Sequence, residues 1–423
     1  MEYRSVRGME DLLPQDAWIW RALETKARHM LESSGYAEIR TPILEDTAVF
    51  VRGIGETTDI VSKEMFTFLD RKERSLTMRP EGTAPIVRAY IEHALLAAAP
   101  INRLYYVGAM FRAERPQKGR LRQFHQIGVE VIGSSSAFAD IEVVSQIDGM
   151  LRLFGLKDFT IKLNSLGCKE DKAGFAESLK SYLKDKAERL CDDCRARMDK
   201  NVLRVLDCKN EGCAQIVAGA PNVLDSLCGG CKTHFEKVKV NLRALGIAFD
   251  EAKNLVRGLD YYTGTVFEVT HPALGGQDAL GAGGRYDNLV RQMGGADVGA
   301  VGYALGIERL IIALKAQGAE PGLQNIVYIA TLGDAAKLEG IKIAQGIRDG
   351  IKLDGIIVLT DIGETSLKSQ LRSADKNRAK IVIILGEDEL KQGKVTIKDM
   401  SGKDPQADVD LSAITEEVRK RLC

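Results

Sequence analysis

Residues 111–133, FRAERPQKGRLRQFHQIGVEVIG, constrain the fold of this chain more than any other stretch. They read as strand, basic turn, strand. From Leu104 to Glu114, the residues Tyr106, Gly108, Met110, Arg112 and Glu114 share one face at the strand period of two. After the turn, Phe124, Gln126, Gly128 and Glu130 share a face, while His125, Ile127, Val129 and Val131 take the other. Gly128, between Gln126 and Glu130, leaves an empty place where a small ligand can lie against the backbone. The turn carries Arg115, Lys118, Arg120 and Arg122, with Pro116 and Gly119 breaking the strands. A solvated hairpin with a charged tip is the simpler reading. Against it, Arg112, Gln126 and Glu130 would sit on one side of an otherwise buried sheet. That arrangement suits an anionic substrate.

The chain has 423 residues, more than one hydrophobic core usually organises, so two or three domains are expected. Lys+Arg and Asp+Glu both number 59. A nucleic-acid partner would therefore be held by local patches rather than by the field of the whole molecule. No apolar run approaches the roughly 18 residues that span a bilayer. The start, MEYRSVRGMEDLLP, lacks the apolar stretch of a signal peptide. A cytoplasmic protein without a membrane partner is expected, its eight cysteines reduced.

Residues 16–33 have helical spacing and stop before Ser34-Gly35; residues 36–44 then read as a short strand interrupted by Pro42. Residues from about 166 to 248 are helical in period and rich in Lys, Asp and Cys, as an inserted domain would be. A linker at 318–324 precedes NIVYIATLG, GIIVLT and KIVIILG, short apolar runs separated by helix-period segments. That alternation marks an α/β domain with a largely parallel, buried sheet. Here Lys368, Arg372, Lys376 and Lys380 recur every four residues, either a solvated face or a phosphate track.

Within the insertion lie Cys191-x-x-Cys194, Cys208-x4-Cys213 and Cys228-x-x-Cys231. Paired Cys-x-x-Cys units have the spacing of thiolate zinc sites, with Cys191, Cys194, Cys228 and Cys231 as the candidate ligands of a structural Zn2+. The other reading is small buried hydrophobes. No open His or carboxylate accompanies them, which argues against catalytic zinc.

FRAERPQKGRLRQFHQ resembles the motif 2 hairpin of class II aminoacyl-tRNA synthetases, in the form found in the histidyl-tRNA synthetase family. RGMEDLLP (residues 7–14), RPEGTAP (79–85), RGLDYYTGTVFE (257–268), GAGGRYDNL (281–289) and GYALGIERL (302–310) agree with that family in order. The resemblance covers nearly the whole chain. It implies an α+β fold: a class II antiparallel sheet flanked by helices over residues 1–322, with the mostly helical insertion at about 166–248. An anticodon-binding α/β domain would occupy 323–423. It also implies a homodimer built on the helix and strand near residues 16–44, for which a plain edge strand is the alternative.

The implied activity joins L-histidine to ATP as an adenylate, with Mg2+, then passes histidine to the terminal adenosine of tRNA(His). Both steps build negative charge, which guanidinium groups suit. By resemblance Arg112, Glu114 and Arg309 meet ATP, and Arg257 meets the reacting carboxylate and α-phosphate; an ion pair with Asp260 is the other reading of Arg257. Glu81, Thr83, Arg112 and Gln126 resemble the clamp on the amino acid. Neutral imidazole has one donor and one acceptor nitrogen, for which Glu130 and either Tyr261 or Tyr262 are the implied partners. Gln117, Lys118 and Arg122 would face the tRNA acceptor end, Gln117 and Arg122 reading the extra 5′ guanosine of histidine tRNA. Asn288 stands where the family usually has glycine. A synthetase-like regulatory subunit of ATP phosphoribosyltransferase is disfavoured by Arg257, Arg309 and the hundred or so residues after motif 3. A threonine, proline or glycine synthetase is disfavoured by RGLDYY and Glu130.

Overall fold

A computed structural model describes residues 3–55, 58–276, 278–319, 325–351, 356–402 and 404–422. The hairpin pairs Asn102–Phe111 with Gln123–Ile132, setting Gly108 opposite Gln126, Tyr106 opposite Gly128 and Leu104 opposite Glu130. The first strand ends at Phe111, three residues before the expected Glu114. There the chain turns aside: the Arg112 N–H still bonds the Arg122 carbonyl at 2.8 Å, but the Ala113 N–H goes to the Glu64 carbonyl at 2.7 Å. The tip is closed by reciprocal Gln117–Arg120 backbone bonds of 3.0 and 2.8 Å around Gly119, whose φ of +70° favours glycine.

Six further strands extend the hairpin into an eight-stranded sheet ordered Ala37–Glu38, Asn102–Phe111, Gln123–Ile132, Ala300–Gly306, Ala279–Arg285, Thr263–Thr270, Thr160–Ser165, Asp250–Glu251. The inner pairings are antiparallel and the two edge pairings parallel. Alternation sends Ile127, Val129, Val131, Val301 and Leu305 into one core with helices Pro14–Ser33, Ala137–Leu153 and Ile307–Ala316. The first helix begins two residues before the expected Asp16, because Pro14 sits where its missing N–H costs nothing. The single strand expected at 36–44 is absent. Ala37–Glu38 joins the large sheet, and Leu44–Asp46 joins a separate three-stranded sheet with Phe66–Leu69 and Ser75–Met78, with Pro42 between the two.

Within 166–248 lie helices Lys169–Lys184, Asp192–Lys200, Glu211–Val217 and Gly229–Ala244. The last belongs to the core of the large sheet, burying Phe235, Val238 and Leu242 there. Its His234 lies 3.3 Å from Asp140, which also accepts from Arg285 at 3.1 and 2.5 Å. Asp140 and Arg285 are 0% and 2% exposed, a charge pair that must be matched in place once desolvated.

The chain forms two compact units, Met1–Ala319 and Glu320–Cys423. Residues 320–324 of the expected linker, and the expected 322/323 boundary, lie outside the described residues. The second unit holds a five-stranded sheet ordered Ile356–Thr360, Asn325–Thr331, Ile381–Leu385, Lys394–Asp399, Ala407–Asp410, the first three parallel and the last two antiparallel. Val327 and Ile329 enter one core and Tyr328 and Ala330 the other, as burial on both faces requires. The four-residue basic stripe is cut short. Its helix, Leu367–Lys376, exposes Lys368, Arg372 and Lys376. Lys380 lies beyond the turn at Arg378 (φ +54°) and bonds Asn325 at 2.6 Å.

Candidate functional site

The place beside Gly128 is not open to a ligand. A Cβ on Gly128 would lie 2.1 Å from the Tyr106 ring, and one on Gly82 would lie 2.3 Å from it. Two glycines thus let Tyr106 lie flat across the sheet, forming the floor of a cavity of about 910 Å³. Glu81, Thr83, Gln126, Tyr261, Tyr262 and Tyr286 line this end. Glu81 accepts the Thr83 and Ala84 backbone N–H groups, both at 2.8 Å, where helix Thr83–Glu92 starts. Burial, chiefly, pushes its carboxyl above the usual range. Tyr261 reaches Glu81 at 3.5 Å.

Glu130 sits behind this wall, 1% exposed and not lining the cavity. Thr83 donates to one of its oxygens at 2.7 Å, and the Tyr286 hydroxyl donates to the other. Burial pushes its carboxyl up to about 8, the two hydroxyls pulling it back and Glu81 pushing further. The neighbouring strand accommodates it only because position 302 is glycine: a Cβ there would lie 2.0 Å from the carboxylate.

The tyrosine loop is held from the insertion. Lys172 donates to the Asp260 and Tyr262 carbonyls at 2.8 and 3.2 Å, and Asn201 donates to the Asp260 carboxylate at 2.6 Å. Arg257 pairs with Glu268 on the adjacent strand at 2.6 Å, the alternative to Asp260 that sequence spacing did not reveal. Burial pushes the Tyr262 hydroxyl up to about 12, against the pull of Arg257.

Along the same cavity, Arg112 stacks 5.1 Å over the Phe124 ring and donates to the Pro80 carbonyl at 2.9 Å. Arg309, in the first turn of Ile307–Ala316, donates to the Gly119 and Ala279 carbonyls at 2.9 and 2.5 Å. Burial, then the like charges of Arg120 and Arg112, lower its pKa. Glu114 pairs with Arg120 and lies 3.8 Å from Arg112. Among the described residues, Gln126 Oε1 and Arg257 Nε are buried without a hydrogen-bond partner. Crowded guanidinium groups and unpartnered polar atoms around one cavity are what a bound anion with polar substituents would complete.

Gln117 and Lys118 are exposed at the hairpin tip. Arg122 is half-buried, donating to the Glu114 and Arg7 carbonyls at 3.2 and 3.5 Å. Asn288 has φ −89°, so no glycine is required there. Sequence reasoning missed Tyr286, Glu268, Glu64 and Arg204 as lining residues. Tyr286 and Glu268 lie inside stretches already singled out, but Glu64 and Arg204 carry no local signal. The proposed quartet of Cys191, Cys194, Cys228 and Cys231 does not form. Cys191 and Cys194 meet Cys208 and Cys213, whereas Cys228 and Cys231 meet Cys168 and Asp171. Spacing along the chain cannot say which pairs the helices bring together.

The histidyl-tRNA synthetase family model matches residues 8–310, and the anticodon binding domain model matches residues 326–421. A histidine–tRNA ligase of Thermosipho melanesiensis is 47% identical over 400 residues, 94% of each chain. That of Thermotoga maritima is 46% identical over 424 residues, covering 100% of this chain and 99% of its own. The crystal structure of the apo histidyl-tRNA synthetase of S. aureus superposes with a TM-score of 0.81 at 34% identity, covering 99% of this chain and all of that one. With its sheet, its C-terminal α/β unit and full-length relatives in agreement, the chain belongs to the histidyl-tRNA synthetase family of class II aminoacyl-tRNA synthetases, the histidine–tRNA ligases.

Proposed function

We propose that histidine activation takes place in the cavity between Tyr106 and Arg309, with the amino acid at the tyrosine-walled end and ATP along the arginines. The observation that carries this reading is the crowding of Arg112, Arg120 and Arg309 at one end of a cavity whose other end is lined by hydroxyls, an amide and the buried Glu81 carboxyl. Glu81, Thr83 and Gln126 would clamp the α-amino group. Tyr261, Tyr262 and Tyr286 would meet the imidazole, with Glu130 behind them fixing the Thr83 and Tyr286 hydroxyls. An apolar amino acid of similar size would leave these groups buried and unpaired.

In the reaction, a carboxylate oxygen of histidine bonds to the α-phosphorus while the bond to the bridging oxygen breaks and pyrophosphate leaves. Arg257 and Arg112 would stabilise the charge that gathers on the α-phosphate oxygens, and Arg309 the terminal phosphate. Magnesium, as the counter-ion of ATP, would find hard oxygen donors in Glu114 and Glu64. Burial and the neighbouring Glu114 raise the Glu64 carboxyl, while Arg112 and Arg120 pull it back.

Transfer then moves the acyl group from phosphate to the ribose hydroxyl of tRNA(His). Gln117, Lys118 and Arg122 would meet its acceptor end, and the exposed Lys368, Arg372 and Lys376 its anticodon arm. We read the chain as a cytoplasmic homodimer. Ile43, Leu44, Phe68 and Leu69 lie 42–65% exposed on and beside the three-stranded sheet, an apolar face that a second copy would cover. Among the described residues no helix is long and apolar enough to cross a membrane. Pyrophosphate exchange measured across the amino acids tests the site. Histidine dependence that survives Gln126→Ala and Tyr262→Phe together would place the amino acid elsewhere.

A further inference from the structure

Seven of the eight cysteines lie within 166–248, and four of them converge. Cys191 caps helix Asp192–Lys200, Cys194 lies in its first turn, Cys208 follows the turn Val202–Val205, and Cys213 lies in helix Glu211–Val217. Their sulfurs all lie within 4.8 Å of one another, with Cys191 and Cys208 at 3.8 Å, and none is in a disulfide. A tetrahedral zinc thiolate has Zn–S bonds of about 2.3 Å, which puts its sulfurs about 3.8 Å apart. Thiols used only as small hydrophobes have no reason to turn sulfur to sulfur. Cys191 and Cys208 are moreover only partly buried. The Cys191 N–H also donates to the Cys213 sulfur at 3.3 Å, which ties the two cysteine pairs together.

A metal would cross-link a segment with little regular structure of its own. Its helices span nine and seven residues, joined by short turns, and Val205, Cys213 and Ile216 anchor it in the neighbouring hydrophobic core. Between the two cysteine pairs stand Arg197, Arg204, Leu206 and Asp207, all lining the cavity. Arg204 and Arg197 reach Asp59 at 3.2 and 3.4 Å, and a Cβ on Gly258 would lie 2.9 Å from Arg204. The geometry points to one zinc ion bound by Cys191, Cys194, Cys208 and Cys213 as a closed tetrathiolate that positions residues 195–207 over the loop carrying Arg257. All four coordination positions are filled by protein, so the ion is structural. The second cluster is different. The Asp171 oxygens accept backbone N–H groups of Cys228 and Cys168 at 3.0 and 3.3 Å, which accounts for that residue as a helix cap.

The effect on catalysis rests on the cavity being the active site; the metal content does not, so the two fail separately. The test takes the full chain, expressed with zinc and purified under reducing conditions without chelator, and measures metal by elemental analysis. Relative to the unaltered chain, Cys208→Ser and Cys213→Ser should each lose one zinc per chain, and Cys231→Ser should keep it. Cobalt(II) replacing zinc should give the visible bands of a tetrahedral thiolate in the unaltered chain and in Cys231→Ser, which decides the matter even if the other variants fail to fold. In a folded Cys208→Ser, histidine-dependent pyrophosphate exchange should fall about tenfold or more through a raised KM for ATP, judged against the 10–100-fold losses seen when metal-site support is removed. An unaltered chain without zinc and silent with cobalt, iron in place of zinc, or zinc content untouched by Cys208→Ser would overturn the assignment.

Discussion

The Tyr286 hydroxyl donates to the Glu130 carboxylate, and this bond joins the turn after the glycine-rich strand to the back wall of the cavity. Gly302 leaves room for it on the strand between them. Glu130 therefore shapes the tyrosine-walled end of the cavity without lining it.

The protonation of Glu130 should be visible in stability. Unfolded, this carboxyl loses its proton at about pH 4.3; folded, burial holds it up to about 8. Between those values the folded chain keeps a proton that the unfolded chain has lost. The contribution is full below the unfolded value and is lost as pH rises towards 8, at up to about 1.4 kcal/mol per pH unit. Glu130→Gln should flatten that slope in urea titrations from pH 5 to 8. An unchanged slope would mean that Glu130 is ionised throughout.

Arg257→Ala should leave the melting curve nearly unchanged, since its partner Glu268 is partly exposed and can take up water. Histidine activation should fall 100-fold or more, as loss of one charged transition-state contact costs about 3 kcal/mol. Near-normal pyrophosphate exchange would leave the Arg257–Glu268 pair a purely structural feature.

Asp140→Ala should be among the most damaging changes in the chain, although it is remote from the proposed chemistry. It takes from the buried Arg285 its one fully buried carboxylate, leaving Asp287 and the Ser134 and Ser136 carbonyls, and removes the partner of His234. Breaking a buried pair from one side costs about 3–5 kcal/mol. A loss of unfolding free energy in urea below a third of that would mean that water, with the existing Asp287 contact, makes up for the lost carboxylate.

Gln117→Ala with Arg122→Ala should weaken charging of tRNA while sparing adenylate formation, and should shrink the penalty for a tRNA lacking the extra 5′ guanosine. An amide and a guanidinium can each address base edges, whereas Lys118 adds charge alone. Full discrimination by the double variant would put recognition elsewhere. Because Arg122 also holds the Arg7 and Glu114 carbonyls, Arg122→Lys serves as the control for loop order.

Local patterns in the sequence were enough for the hairpin, the helices of residues 166–248 and the alternating C-terminal unit, because side-chain period and proline or glycine punctuation act over a few residues. The strand period also singled out Arg112 and Gln126, and the family resemblance Arg257 and Arg309; the fold brings all four to one cavity. Only the tertiary structure decided that Tyr106 fills the place beside Gly128, that Arg257 pairs with Glu268 rather than Asp260, and that Glu130 stands behind the wall. It alone sorted the cysteines, uniting Cys191 and Cys194 with Cys208 and Cys213. Each of these depends on which distant backbones approach within a few ångströms. Strand order and helix packing set that approach, and neither is written in the spacing of residues along the chain.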